Sequence, residues 1–233
     1  MPAQSMRGFS ATLPVAVSVI AYGSVLGMLA AQKDLSWQEL LFMNLSVFAG
    51  AAQFVMVDMW GDVLPLVEMT LAVFIINFRY LLIGASLEPL FRSSSLAGKL
   101  RMIHLVADEN WALTMAASRK DPEGIGTAYL MGSGVCLFLA WNLGTLAGLL
   151  GGAAIARPER FALDFAFTAV FTALAVSLWR GYRDILPWTA AACLALLSEH
   201  YLPGKWYIVI GGLGGALTAM FIPSPPKGEA DHA

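Results

Sequence analysis

Charge is what this sequence has least of. Lys, Arg, Asp and Glu supply 13% of its 233 residues, about half the share of a soluble domain, which is near 25%. That scarcity excludes a water-facing surface over most of the chain. The formal net charge of −2 excludes the basic face that a nucleic-acid partner requires. Cysteine is nearly missing too. Cys136 and Cys193 stand singly inside apolar runs, with no CxxC or Cys/His company, and read as small buried hydrophobes rather than a redox or metal pair. There is no Gly-rich phosphate loop carrying Lys, no HExxH and no GxSxG, and His104, His200 and His232 lack metal-ligand spacing. No enzyme, catalytic residue, metal or cofactor is expected on these grounds.

What fills the chain instead is apolar: 58% of residues are hydrophobic. Apolar runs fall at Gly8–Ala31, Trp37–Trp60, Val63–Leu87, Thr127–Ala154, Phe161–Trp179, Ile185–Leu202 and Trp206–Ile222. Each is close to the length, about 20 residues, that a helix needs to cross a bilayer. An eighth stretch, "RMIHLVADENWALTMAASRK", is apolar but interrupted by His104, Asp108, Glu109 and Asn110. The pattern predicts an all-α polytopic integral membrane helical bundle of seven or eight hydrophobic elements. One transmembrane domain, 1–223, takes up the chain, and the polar, proline-rich 224–233 reads as a disordered cytoplasmic tail. The first run follows only Arg7 and has no clean cleavage site, so it reads as a retained helix. Trp37, Trp60, Trp179 and Trp206 stand at run ends, where an aromatic belt places them.

Orientation follows from Lys and Arg. If Trp37–Trp60 folds back on itself at "FAGAAQ", then Arg7, Arg92, Lys99, Arg101, Arg119, Lys120, Arg180, Arg183 and Lys227 lie inside, and Lys33, Arg157, Arg160 and Lys205 outside. If that run and 102–118 both span, Arg92, Lys99 and Arg101 move outside. The positive-inside rule favours the hairpin, and run length favours the span. Both arrangements leave the N- and C-termini in the cytoplasm. A faint internal echo pairs "YGSVLG" and "FAGAAQF" with "LGTLAG" and "LDFAF". Were it a parallel repeat, the second run would have to span as its counterpart does. The small residues of "GGLGGAL" suggest an open helix–helix surface.

Polar residues inside the apolar runs are the candidate chemistry. In "SVFAGAAQF", Gly50 and its flanking alanines clear space around the backbone beside Gln53. A helix broken there frees N–H and C=O groups that protein, water or a ligand must satisfy. Gln53 is either interhelical glue or, with Gly50, a contact for a zwitterionic ligand. In "INFRYLLIGASL", Arg79 sits deep in an apolar run at an insertion cost of about 2.5–3.5 kcal/mol or more. Asn77, Glu68 or a carboxylate elsewhere in the bundle is the candidate partner. Arg79 is then a snorkelling or structural ion-paired residue, or a contact for a substrate carboxylate. In "ADENWAL", His104 and Asp108 are four apart and expected on one helix face. Asp108 and Glu109 belong either to a solvated stripe of an interfacial helix or to a proton-titrating, ammonium-binding site. Asp164, near the start of its run, is a helix-start carboxylate or a buried partner for Arg79.

Taken together, "RGFSATLP…AYGSVLG", "SVFAGAAQF", "INFRYLLIGASL", "ADENWAL" and "ALDFAF" occur here in the order in which the AzlC family carries them. The chain resembles that family, the large subunit of bacterial branched-chain amino acid exporters, over about residues 7 to 180. The resemblance implies efflux of valine, leucine, isoleucine and in some members methionine across the inner membrane. It also implies a small hydrophobic AzlD-type partner subunit. Gly50, Gln53, Asn77 and Arg79 are carried over as substrate-site positions, and Asp108, Glu109 and Asp164 as proton-coupling or ion-pair positions. Tyr80 stands where many members have histidine. Without a nucleotide site, energy is expected from an ion gradient, with passive flux or a non-transport scaffold as the alternatives.

Overall fold

The structure, a computed structural model, describes residues 2–92, 94–121, 124–153, 172, 176, 181–203 and 206–221. Asp164, most of the Phe161–Trp179 run, Arg157, Arg160, Lys205, Lys227 and the 224–233 tail lie outside the described residues. The described residues are helical, with no strand among them. Two compact units make up the chain, Met1–Gly61 with Asn77–Thr168, and Asp62–Ile76 with Ala169–Ala233.

In the first unit, α1 (Pro2–Gln32) and α9 (Thr127–Ala153) form a long pair. Gly8 meets Tyr129, Thr12 meets Ser133, Ile20 meets Gly144, Ser24 meets Gly148 and Met28 meets Gly152, so the two helices run parallel. Glycine makes the approach possible. A methyl placed on Gly27, Gly132 or Gly148 would overlap the facing Thr145, Ser5 or Ser24 carbonyl. Where the seam carries hydroxyls they pair, Thr12 Oγ1 with Ser133 Oγ at 2.6 Å. Without a hydrophobic force between helices in lipid, such backbone contact and side-chain bonding hold them together. The echoing stretches "YGSVLG" and "LGTLAG" therefore lie side by side in this seam.

Between α1 and α9 the chain makes two short hairpins. The first is α2 (Trp37–Ser46) and α3 (Gly50–Asp58). Helix α2 opens on a capping box, with the Glu39 N–H donating to Ser36 Oγ and the Ser36 N–H to Glu39 Oε2. It stops at Val47, and the backbone is extended there and at Ala49 before α3 begins. The far end returns: Lys33 Nζ, just past α1, donates to the Asp58 carbonyl at 2.9 Å. Both ends of the segment thus lie at the C-terminal end of α1, while Gly50 packs against Tyr22 and Trp141. From Gln32 back to Tyr22 is ten residues of α1, about 15 Å at 1.5 Å per residue, half of a hydrocarbon core of about 30 Å. This segment re-enters, as the count of positive charges favours. Of the echo, the "LDFAF" counterpart lies outside the described residues.

The second hairpin enters from the opposite end. Helix α4 (Leu66–Asn77) runs through Phe78, which keeps helical backbone angles, into α5 (Arg79–Ser86), and α6 (Glu88–Phe91) follows. Then α7 (Leu96–His104) and α8 (Asp108–Lys120) fold against the start of α9. Asp121, just past α8, lies 3.8 Å from Arg7, and Gln4 donates to the Gly124 carbonyl. The loop before α7 lines a cavity with Met131, near the start of α9. The turn between them, Leu105, packs on Gly134, seven residues and about 10 Å into α9. Ile83, Leu87, Phe91, Met102, Val106 and Leu130 form the core under this hairpin.

In the second unit α10 (Ile185–Tyr201) and α11 (Trp206–Met220) pair antiparallel. Gly211 and Gly215 are buried against Ala191 and Ala195, Gly214 faces Leu194, and Gly212 faces Ile75. The open small-residue surface expected at "GGLGGAL" is instead filled from within the chain. The large side chains left outward, such as Phe42, Leu82 and Leu139, suit lipid contact. Among the described residues, three helical stretches, Ala3–Gln32, Leu66–Ser86 and Thr127–Gly152, are long and apolar enough to cross a membrane.

The hairpins fix a labelling pattern. With Cys136 and Cys193 replaced, single cysteines at Asp34 and Gly61 should both react with an impermeant thiol reagent from one face of the membrane. Cysteines at Ser94 and Lys120 should react only from the other. Asp34 and Gly61 reacting from opposite faces would show that the first segment spans.

Candidate functional site

The first hairpin tip is held by amides. Gln53 is fully buried, and both ends of its side chain are used. Its Nε2 donates to Asn44 Oδ1 at 3.0 Å, and its Oε1 accepts from Trp141 Nε1 at 2.6 Å. Asn44, also fully buried, donates in turn to Thr145 Oγ1 at 2.8 Å and Asn142 Oδ1 at 3.2 Å. The chain α3–α2–α9 is thus closed by side chains that lie 9 and 88 residues from Gln53 in sequence. Gly50 sits under two rings: a Cβ there would lie 3.1 Å from Trp141 Cη2 and 3.4 Å from Tyr22 Cε1. Phe48 packs edge-on against Phe138. The first amides of α3, Gly50 to Ala52, precede the helical ladder, which begins with the Gln53 N–H to the Ala49 carbonyl.

The second tip presents charge. Arg79, the first residue of α5, pairs with Asp108, the first residue of α8: Nη1 lies 2.7 Å from Oδ2. Of the partners considered for Arg79, Asp108 is the one that meets it among the described residues; Glu68 stands in the first turn of α4, and Asp164 lies outside. The tip is built by Asn110, whose Oδ1 accepts from the Ala107 N–H at 2.7 Å while its Nδ2 donates to the Leu105 carbonyl at 2.8 Å. Asn110 thereby satisfies both a helix start and the preceding helix end. His104 ends α7 and Asp108 starts α8, so the shared helix face expected for them does not exist. The break between them removes the four-residue register. Glu109 follows Asp108 and is exposed, and the Arg79 guanidinium stands 5.5 Å from the Tyr80 ring centroid.

The ion pair is incompletely bonded. Among the described residues, five buried side-chain atoms have no hydrogen-bond partner: Arg79 Nε, Asp108 Oδ1, Asn77 Oδ1, Tyr22 Oη and Thr114 Oγ1. Native interiors leave few such atoms, and the first three belong to the ion pair and to Asn77 at the end of α4. Of these, Arg79 Nε is a donor, and Asp108 Oδ1 and Asn77 Oδ1 are acceptors. The sequence singled out Asn77, Arg79, Asp108 and Glu109 as polar residues inside apolar runs, but it gave no sign of Asn44, Trp141 or Tyr22. For α8 a sign was available: Asp108, Glu109 and Asn110 in succession are the acidic, capping start of a helix.

Residues 14–155 match the family model described as AzlC protein. An uncharacterized membrane protein of Helicobacter pylori is 26% identical over 202 residues, covering 83% of this chain and 86% of that one. The inner membrane protein YgaZ of Escherichia coli is 24% identical over 219 residues, 92% of this chain and 89% of its own. A membrane protein of Archaeoglobus fulgidus is 25% identical over 222 residues, 91% and 93% of the two chains. No solved structure matches the chain.

The amide network sets a stability test. Gln53→Leu keeps the volume but strands the Trp141 N–H and the Asn44 carbonyl oxygen, at about 1–3 kcal/mol for each buried group. The purified variant should melt well below the wild-type protein in detergent. Equal melting temperatures would show that the network holds nothing.

Proposed function

The chain belongs to the AzlC family, a membrane protein with a transport-related role, and on that premise we propose that it is the large subunit of a secondary exporter. It carries branched-chain and other neutral hydrophobic amino acids, such as valine, leucine, isoleucine and methionine, out across a bacterial inner membrane. The family resemblance supplies the substrate class. The observation that carries this reading is the incompletely bonded Arg79–Asp108 pair at the second hairpin tip.

An amino acid zwitterion needs a donor for its carboxylate and acceptors for its ammonium. Arg79 Nε–H is the donor, and Asp108 Oδ1 and Asn77 Oδ1 are the acceptors. Arg79 suits the task because its planar fork can keep Asp108 on one nitrogen and take a carboxylate on another. The two tips grip α9 at Trp141 and at Gly134, about 10 Å apart along its axis, a height that matches a small amino acid. Gly50 and Gln53 serve this site from the first tip, Gly50 by keeping it narrow and Gln53 by locking it to α9. Glu109, next to Asp108, and Asp164 are the remaining carboxylates assigned to proton coupling. The sequence holds no nucleotide-binding loop, and the proton-motive force is the energy source in this reading. A small AzlD-type subunit completes the complex.

The test is valine release from cells loaded with a valine dipeptide, with and without this chain and its small partner. Arg79→Lys keeps the charge and loses Nε. Export should fall about tenfold or more, the worth of a charged hydrogen bond of about 1.5–3 kcal/mol, at near-normal abundance in the membrane. Arg79→Gln strands Asp108 and should lower abundance, and adding Asp108→Asn should restore abundance without restoring export. Unchanged export by Arg79→Lys would remove Arg79 from the substrate site. Release that persists after the proton gradient is collapsed would make the protein a passive facilitator.

Partner dependence has its own outcome. Expressed without the small subunit, the chain should export little valine. Full export by the chain alone would remove the two-subunit reading.

A further inference from the structure

We propose that Tyr22 is a second carboxylate-binding group of this site, its hydroxyl donating to the same substrate carboxylate as Arg79. The inference rests on the transport reading above and deepens it. Tyr22 lies two-thirds of the way along α1 and is held by its ring, not by its hydroxyl. The ring packs against Phe54 at 4.8 Å and Trp141 at 5.7 Å between centroids. The ring edge beside the hydroxyl borders Gly50, so Tyr22 touches the first hairpin tip directly. Its hydroxyl also lies within electrostatic range of Arg79 and Glu109 at the second tip.

The hydroxyl is buried and makes no hydrogen bond. A phenol whose only task is packing needs no oxygen, and a buried one ordinarily finds a partner. Counted together, the open atoms balance. Tyr22 O–H and Arg79 Nε–H are two donors, and Asp108 Oδ1 and Asn77 Oδ1 are two acceptors. An α-amino acid has a carboxylate that can take both donors and an ammonium whose three N–H groups can reach both acceptors. The fifth open atom, the Thr114 hydroxyl, lies six residues further along α8 and is not needed for the match. A free amine or a free fatty acid would leave half the set unpaired, and a site built to bond a polar group rejects the analogue that lacks it.

Tyr22→Phe removes the oxygen and keeps every ring contact. The full chain and its small partner are prepared in inverted membrane vesicles, and valine uptake is measured against valine concentration, with valinol as a competitor lacking the carboxylate. The variant should match the wild type in abundance and melting temperature. Its KM for valine should rise about tenfold while the maximal rate stays within about twofold. The preference for valine over valinol should shrink by a similar factor. An unchanged KM and valinol preference, in vesicles where the wild type transports valine, would overturn the role of Tyr22 and leave the transport reading intact. A drop in abundance or melting temperature with an unchanged valinol preference would make the hydroxyl a packing feature and overturn the proposal. Wild-type vesicles that move no valine would remove the transport reading and this inference with it.

Discussion

A backbone that leaves its helix inside a membrane must find every hydrogen bond within the protein, because lipid offers none. That requirement organises the first unit. Two breaks, at Val47–Ala49 and at Leu105–Ala107, occur at depth, and neither is tolerable unless walled in. The wall is the α1–α9 pair. Its glycines bring two backbones into contact along most of their length, leaving a continuous surface on which both tips rest. Trp141, Thr145 and Gly134 on α9 and Tyr22 on α1 are the points where the tips touch it.

The two breaks are satisfied differently, and the difference sorts structure from function. The first tip is closed: Gln53, Asn44, Asn142, Thr145 and Trp141 use one another's donors and acceptors. A fully paired buried network rigidifies its surroundings. The second tip is paired in its backbone by Asn110 but left open at the Arg79–Asp108 ion pair. At a buried, incompletely bonded charge pair, added donors and acceptors gain more than they would in water.

Much of this was legible from the residues. Apolar runs near bilayer length gave the spanning helices, whereas charge and length disagreed over the first segment, whose two ends Lys33 and Asp58 bring together. Gly50 marked the break because a tip pressed against two rings has room for nothing larger. Arg79 announced a partner through its insertion cost. Its identity was hidden, since Asp108 reaches it only because α7 stops at His104, and no Pro or Gly punctuates "HLVAD" to say so. The error about "GGLGGAL" has a related cause. Small residues announce a close neighbour without saying whether it is another chain or, as here, α10.

The parallel seam also governs the order in which this molecule can be assembled. Helix α1 emerges first with its glycine face exposed, and the helix that covers it begins only at Thr127. At about 5–20 residues per second of synthesis, the intervening chain takes roughly 5–20 seconds to appear. Throughout that interval α1 waits in the bilayer while both hairpins are made with only half of their supporting wall in place. The nascent protein is therefore most exposed to wrong pairing and to proteolysis before α9 arrives, and docking of α9 is the event that converts a set of inserted segments into a folded unit.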